Sequence, residues 1–305
     1  IELEIWPNFL ISAFKKNIPV IIVNGRISNK SVKAYRTISR ISKDFRNSLT
    51  SELNVFCART EFDAQRFRDL GIPGKQIFVT GTMKYDNIPT HIDKNISKEL
   101  VKLFHIDDDD LILVGGSTHA GEEEILIRVF ERLNKVYPNL KLILAPRHVE
   151  RTREVSRLIE KTGFVPVLKT EAERSSYKWQ NTKREIILID TVGDLEKVYS
   201  ISNFVFVGKS LVPSGGQNMM EPAGMGNPVI FGPHTYNFEE EVDLLLKNSA
   251  AKEIETEEEL FGTVEFFIRN PDAAKEMGLK AQKVVNEKRG ATERNIEILR
   301  EIIKN

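Results

Sequence analysis

An α/β fold built on parallel sheets is the architecture this sequence predicts, and three observations predict it. Short apolar runs recur at 19–23, 54–58, 76–79, 111–114, 141–144, 186–189, 204–207 and 228–231, several of them stopped by glycine or asparagine. Between them lie stretches whose apolar residues repeat at helical spacing. The links are short, and strands that return parallel to one another through helices make a sheet covered on both faces.

Taken in order, Pro7 suits the first turn of a helix running toward Lys16. The residues before it look like the end of a strand, so the chain is expected to begin inside a domain whose first strand–helix units lie upstream. A long helix is predicted over 29–49, with Ala34, Ile38, Ile41, Phe45 and Leu49 on its buried face and Lys33, Arg36, Arg40 and Lys43 opposite. Thr60 caps a helix that ends near Gly71. The polar, irregular stretch 89–97 reads as a linker, which sets a partial first domain at 1–90 and a second at 97–290. Helices follow at 256–268, with Thr256 as cap, and at 272–288; after Gly290 a last helix over 293–303 could pack, within 291–305, on the first domain.

At 305 residues the chain can bury one large core or two ordinary ones. Lysine plus arginine and aspartate plus glutamate both number 44, so no overall charge points to nucleic acid. The single cysteine, Cys57, rules out an intrachain disulfide and sits in an apolar run, where a packed thiol is expected. No apolar stretch approaches the ~18 residues of a membrane span, and no signal peptide is visible.

Residues 204–238 carry the strongest functional signal. An apolar strand stops at Gly208, Gly215-Gly216 follow in a loop, and a short helix over 217–223 carries Glu221. Adjacent glycines before a helix let backbone N–H groups converge on an anion, which the helix dipole also favours. A carboxylate inside that helix suits hydroxyls instead, such as a ribose diol. Phosphate at the loop and diol at Glu221 together describe a nucleotide site. The bland reading is a turn followed by a solvated glutamate. Ser117, Thr118 and His119, with Gly121-Glu122 behind them, follow a strand and open a helix, as a ligand-approaching turn or a mere cap would. Pro146, Arg147 and His148 lie just past another strand, at the end that borders the crevice of a parallel sheet. Arg147 can fork onto phosphate or carboxylate there, or simply pair with Glu150 or Glu154. Asp190, Thr191, Val192, Gly193 and Asp194 make a further strand-end turn. Asp107 to Asp110 lack the separated ligands of a calcium loop and read as a solvated turn. His119, His148 and His234 lie on separate loops without metal-like spacing, so no metal is expected.

The string GKSLVPSGGQNMMEPAGMGNPVIFGPH (208–234) resembles the nucleotide-binding segment of the Kdo transferases of lipid A biosynthesis, glycosyltransferases of the GT-B fold. Further strings agree: GGSTHAGE at 115–122, PRHVER at 146–151, DTVGDL at 190–195, NGRIS at 24–28, KYD at 84–86, and ELEIWPN at 2–8. The resemblance spans nearly the whole chain. It implies an inverting, metal-independent enzyme with no cofactor. Such an enzyme moves 3-deoxy-D-manno-octulosonic acid (Kdo) from CMP-Kdo to a lipid A precursor, in two Rossmann-like domains that face a cleft. It implies donor contacts from Ser117, Thr118, His119, Pro146, Arg147, His148, Thr191, Val192, Gly193, Lys209, Ser210, Gly215, Gly216, Gln217, Asn218 and Glu221. Arg147 would also help the leaving phosphate, and Glu4, Asn24, Arg26 and Lys84 would stand on the acceptor side, with Glu4 supporting catalysis. The general base of the family lies in an N-terminal loop that this sequence does not include. Lys209 and Gln217 depart from the glycine and histidine more usual at those places. The basic helix 30–49 is either a solvated face or a patch for an anionic membrane, the latter suiting a peripheral enzyme on the cytoplasmic face of a bacterial inner membrane. Two alternatives stay open: a UDP-sugar transferase or epimerase of the same fold, and a truncated nucleotide-binding remnant.

Overall fold

The computed structural model describes residues 5–174, 179 and 184–304. The chain divides into two compact units, 1–87 with 288–305, and 88–287.

The first unit contains α1 (Pro7–Lys15), β1 (Val20–Gly25), α2 (Asn29–Ile41), α3 (Lys43–Leu49), β2 (Asn54–Ala58), α4 (Glu61–Asp69) and β3 (Ile77–Val79). Its sheet is parallel in the order β1-β2-β3, and Phe45, Leu49, Phe56 and Phe67 fill the core against it. The predicted single helix over 29–49 is two helices. Ser42 adopts an extended backbone (φ −104°, ψ 108°) and its hydroxyl accepts the Phe45 N–H at 3.2 Å, so a cap interrupts the helix. The interruption changes the phase of everything before it. Val32 and Tyr35 are buried, whereas Ala34 and Ile38 face solvent and Ile41 is 82% exposed.

The second unit runs α5 (Lys94–Leu103), β4 (Leu111–Thr118), α6 (Glu122–Asn134), β5 (Leu140–Pro146), α7 (Thr152–Lys161), β6 (Val165–Leu168), α8 (Lys169–Ala172), β7 (Glu185–Leu188), α9 (Leu195–Tyr199), β8 (Phe204–Val207), α10 (Met220–Gly224), β9 (Val229–Phe231), α11 (Glu239–Lys247), β10 (Ala251–Glu253), α12 (Glu257–Arg269) and α13 (Pro271–Lys288). Part of the stretch read as a linker is therefore helix: α5 starts at Lys94, capped by Asp93. The sheet is parallel throughout, ordered β10-β9-β8-β4-β5-β7-β6. Strand order reverses at β4, which pairs with β5 on one side and β8 on the other. Central strands are apolar on both faces because helices cover both. Phe206, at 0% exposure, contributes roughly 1.5–3 kcal/mol by its burial alone. The last helix, α14 (Ala291–Lys304), belongs to the first unit. Among the described residues no helix is long and apolar enough to cross a membrane.

Candidate active site

The carboxyl ends of β4, β5, β7 and β8 converge at the point where strand order reverses, where parallel sheets bind ligands. A cavity of about 450 Å³ opens there, lined by Ser117, Arg147, Gly193, Leu195, Glu196, Gln217, Asn218 and Glu221. Six of these were expected from the sequence. Leu195 and Glu196 were not, since a Leu-Glu pair at a helix start carries no chemical signature.

The floor of the turn after β4 needs glycine. A Cβ on Gly116 would lie 2.2 Å from the hydroxyl of the buried Tyr199. Ser117 takes a left-handed backbone (φ +53°) and faces the cavity. Thr118 is 1% exposed and sits behind it, so it shapes the turn and offers a ligand nothing directly. The rings of His119 and His148 meet edge to face at 5.8 Å. Burial pulls the His119 imidazole below its ordinary value, with the Lys209 and His148 charges acting the same way, against the Ser117 carbonyl and the Glu122 carboxylate.

Arg147 is exposed and reaches the cavity; its N–H donates to the Thr118 carbonyl at 3.0 Å. The surface pairing that competed for it does not form: Glu154 pairs at 2.9 Å with Arg151, which also grips the buried Glu123 at 2.7 Å. Among the described residues no carboxylate stands within ion-pair distance of Arg147. Pro146 is buried and His148 exposed beside it.

The turn after β7 is anchored from α8. Thr170 donates its N–H to Asp190 at 3.0 Å and its hydroxyl to the same carboxylate, and Lys169 reaches Asp194 at 3.2 Å. Burial pushes Asp194 up, but hydrogen bonds from Lys197, Thr191 and Lys169 outweigh it and hold the group at about 2. Thr191 is thereby occupied, Val192 projects into solvent at 86% exposure, and Gly193 (φ +89°) presents backbone to the cavity.

After β8 the structure departs from the expected phosphate loop. Ser210 is 0% exposed; its hydroxyl donates to the Val207 carbonyl at 2.5 Å and accepts the Gly232 N–H at 2.8 Å. It is an internal strut, buried out of reach of a nucleotide-sugar donor. The Gly216 N–H is spent on the Lys209 carbonyl at 2.7 Å, so it is not a phosphate donor either. Gly215 and Gly216 are needed for their conformations (φ +95° and +79°); a Cβ on Gly215 would overlap Asn237. The helix placed at 217–223 is only the five residues of α10 and starts at Met220, too short and too late for its dipole to act at the glycines. What faces the cavity instead is side-chain chemistry: Gln217, Asn218 and Glu221.

Asn218 orders this corner, donating to Glu221 Oε1 at 2.9 Å and accepting the Met220 N–H at 3.1 Å. Burial raises the Glu221 carboxyl; the Asn218 bond lowers it, the Glu196 charge raises it, and Arg147 lowers it. One cavity thus holds an unpaired guanidinium and a half-buried carboxylate, the groups that an anion and a diol would take.

One role was missed, at the residue that ends the GGSTHAGE string. Glu122 is 0% exposed, and its carboxylate accepts four backbone N–H bonds, from His119 (2.9 Å), Lys209 (2.7 Å), Ser210 (2.9 Å) and Leu211 (3.0 Å). Three of those partners lie more than eighty positions downstream, so nothing local announced it.

On the first unit, Asn24 is 4% exposed with φ +54°, and its Oδ1 accepts the Met83 N–H at 3.2 Å. That bond draws the end of β1 toward Lys84, whose ammonium lies 5.1 Å over the Tyr85 ring; Arg26 is exposed nearby in sequence. Glu4 lies outside the described residues. Among the described residues no three His, Cys, Asp or Glu side chains are grouped to hold a metal ion.

Residues 1–87 match the family described as 3-deoxy-D-manno-octulosonic-acid transferase (kdotransferase). The 3-deoxy-D-manno-octulosonic acid transferase of Haemophilus influenzae is 34% identical over 98% of this chain and 68% of its own length. The Aquifex aeolicus transferase of the same name is 31% identical over 85% of this chain and 62% of its own length. Among solved structures, the C-terminal CMP-Kdo binding domain of WaaA from Acinetobacter baumannii superposes with TM-score 0.57 at 24% identity, covering 63% of this chain and 96% of that one. The Anabaena HepE structure in complex with UDP gives TM-score 0.51 at 13% identity, covering 99% of this chain and 78% of that one, so the likeness is one of fold. The fold is α/β of the GT-B type, and the chain belongs to the 3-deoxy-D-manno-octulosonic acid transferase family of glycosyltransferases.

Proposed function

We propose that the second unit binds CMP-Kdo and that the protein transfers Kdo to a phosphorylated lipid, a lipid A precursor. The observation that carries this reading is the pairing of Arg147 and Glu221 in one cavity at the sheet's reversal point, within a chain of this family. Glu221 accepts the two ribose hydroxyls; Arg147, with Gln217 and Asn218, takes the nucleotide phosphate; backbone at Gly193 borders the base. In the reaction the acceptor oxygen attacks the anomeric carbon of Kdo. The bond from that carbon to the phosphate oxygen breaks, CMP leaves with the electron pair, and the acceptor's proton passes to a base. Displacement from the opposite face inverts the anomeric centre. Arg147 opposes the charge that grows on the departing phosphate, which is where fixed cations accelerate such a step without a metal ion.

A membrane surface fits the first unit. Ile38 and Ile41 stand out from α2 among Lys33 and Arg40, with Lys43 following, so the exposed side offers apolar residues to insert and cations for anionic headgroups. This suits a peripheral enzyme at the inner face of the bacterial inner membrane.

Calorimetric titration with CMP and with UMP tests the donor assignment. CMP should bind more tightly, and Glu221→Gln should weaken it by about tenfold. Equal binding of UMP, or wild-type affinity in the variant, contradicts it.

A further inference from the structure

We propose that Lys209 is a second cation of the donor site, taking an anionic oxygen group that Arg147 does not, and that Glu122 is the positioning residue that fixes its backbone. This rests on the donor reading above. Lys209 has φ +60°, a left-handed conformation that crowds the Cβ of any residue but glycine. Such a conformation persists only where surrounding bonds impose it, and here they do so from both sides. The Lys209 N–H donates to Glu122 Oε2 at 2.7 Å, and its carbonyl accepts the Gly216 N–H at 2.7 Å. The next two N–H groups, of Ser210 and Leu211, bind Glu122 Oε1 at 2.9 and 3.0 Å.

Successive N–H groups at a strand end make an anion-binding concavity. In this protein a buried carboxylate of the chain itself fills that concavity. The amides are therefore closed to a ligand, and what position 209 can offer is its side chain. Among the described residues no carboxylate lies within ion-pair distance of the Lys209 ammonium, whereas Arg151, Lys169 and Lys197 of the same unit are each paired. Its charge instead bears on His119, which packs against His148, the neighbour of Arg147. Glu122 Oε2 ties the Lys209 backbone to that of His119, so a strained, half-buried, unpaired lysine stands at the turn after β4 whose Ser117 lines the donor cavity.

The test titrates the full chain with CMP and with cytidine, and measures turnover of CMP-Kdo, for Lys209→Arg, Lys209→Met and Lys209→Gly. Arginine should keep wild-type affinity within about twofold, while methionine and glycine should lose about tenfold toward the anionic ligand and nothing toward cytidine. Lys209→Gly should melt higher than wild type because glycine relieves the strain, so its weaker binding cannot be misfolding. Weaker CMP binding assigns the nucleotide phosphate; unchanged CMP binding with a raised KM for CMP-Kdo assigns the sugar carboxylate. If methionine and glycine leave both CMP binding and the KM for CMP-Kdo as in the wild type, the proposal is overturned. If the wild type itself ignores CMP, it is the donor reading that has failed. Glu122→Gln turns an amide N–H₂ toward the caged N–H groups and should weaken CMP binding as Lys209→Met does, with no further loss when the two are combined. Additive losses would remove Glu122 from its assigned role. Adding Gln217→His, next to Gly216, should restore binding to Lys209→Gly below about pH 6.5 and not above pH 8.

Discussion

Glu221 shows how one side chain sets opposing demands on the protein. Burial raises its pKa, so the folded state holds a proton that the unfolded state has already released. Stability therefore falls as pH rises from the ordinary glutamate value through the raised one. Diol recognition needs the ionised form, so CMP affinity should fall as pH drops through the same window, at higher pH than an unperturbed glutamate would show. Calorimetry across pH 4 to 8 should reveal this slope, and Glu221→Gln should abolish it while melting no lower than wild type. The glycine beneath the site answers to packing. Gly116→Ala drives a Cβ into the Tyr199 hydroxyl, 2.2 Å away, and should cost about 1–3 kcal/mol in urea unfolding. Strand-end signals made Ser117 and Arg147 legible in the sequence, and the glycine pair ahead of a helix did so for Glu221, whereas Gln217 and Asn218 came only with the family resemblance. Ser210 reads identically in sequence and yet is buried, since a hydroxyl that braces a loop and one that meets a ligand look alike until burial is known.

At the scale of elements, the alternation of strand and helix was readable, and its errors have physical causes. The two strands that escaped notice, β6 and β10, are the edges of the larger sheet. An edge strand needs no apolar residues on both faces: β6 tolerates Pro166 and β10 carries Lys252 and Glu253. Helix α2 was found but placed a face too far round, because the cap at Ser42 resets the phase that an unbroken helix would keep. Ser42→Ala should remove the cap and cost about 1 kcal/mol. The misplaced face has a functional sequel. Ile41 is 82% exposed, so Ile41→Asp should leave thermal stability near wild type while reducing sedimentation with vesicles rich in anionic lipid; unchanged sedimentation would contradict docking through α2.

For the molecule as a whole, the two units differ in how the chain returns to them. The first is completed by a segment from the far end of the chain, and Asp86 receives it: its two oxygens accept the N–H groups of Gly290 and Thr292, each at 2.6 Å, while Arg294 Nε donates to the Thr80 carbonyl at 2.8 Å. Burial pushes Asp86 up, but bonds from Thr292, Gly290 and Ala291 win and hold it below the ordinary aspartate value. The stabilisation is therefore present above the unfolded pKa and disappears as pH falls through the folded one. Asp86→Asn should destabilise the protein at pH 7 and bring it level with wild type in strong acid. Long-range bonds of this kind, like the cage of Glu122, were invisible in the sequence because both partners look ordinary where they stand.

The central claim is that CMP lies in the cavity between Arg147 and Glu221. A crystal structure of the protein with CMP decides it most directly. The account predicts both ribose hydroxyls on Glu221, phosphate oxygens on Arg147 and the base against Gly193. Nucleotide seated outside that cavity, or held with its phosphate turned to Glu221, would contradict it.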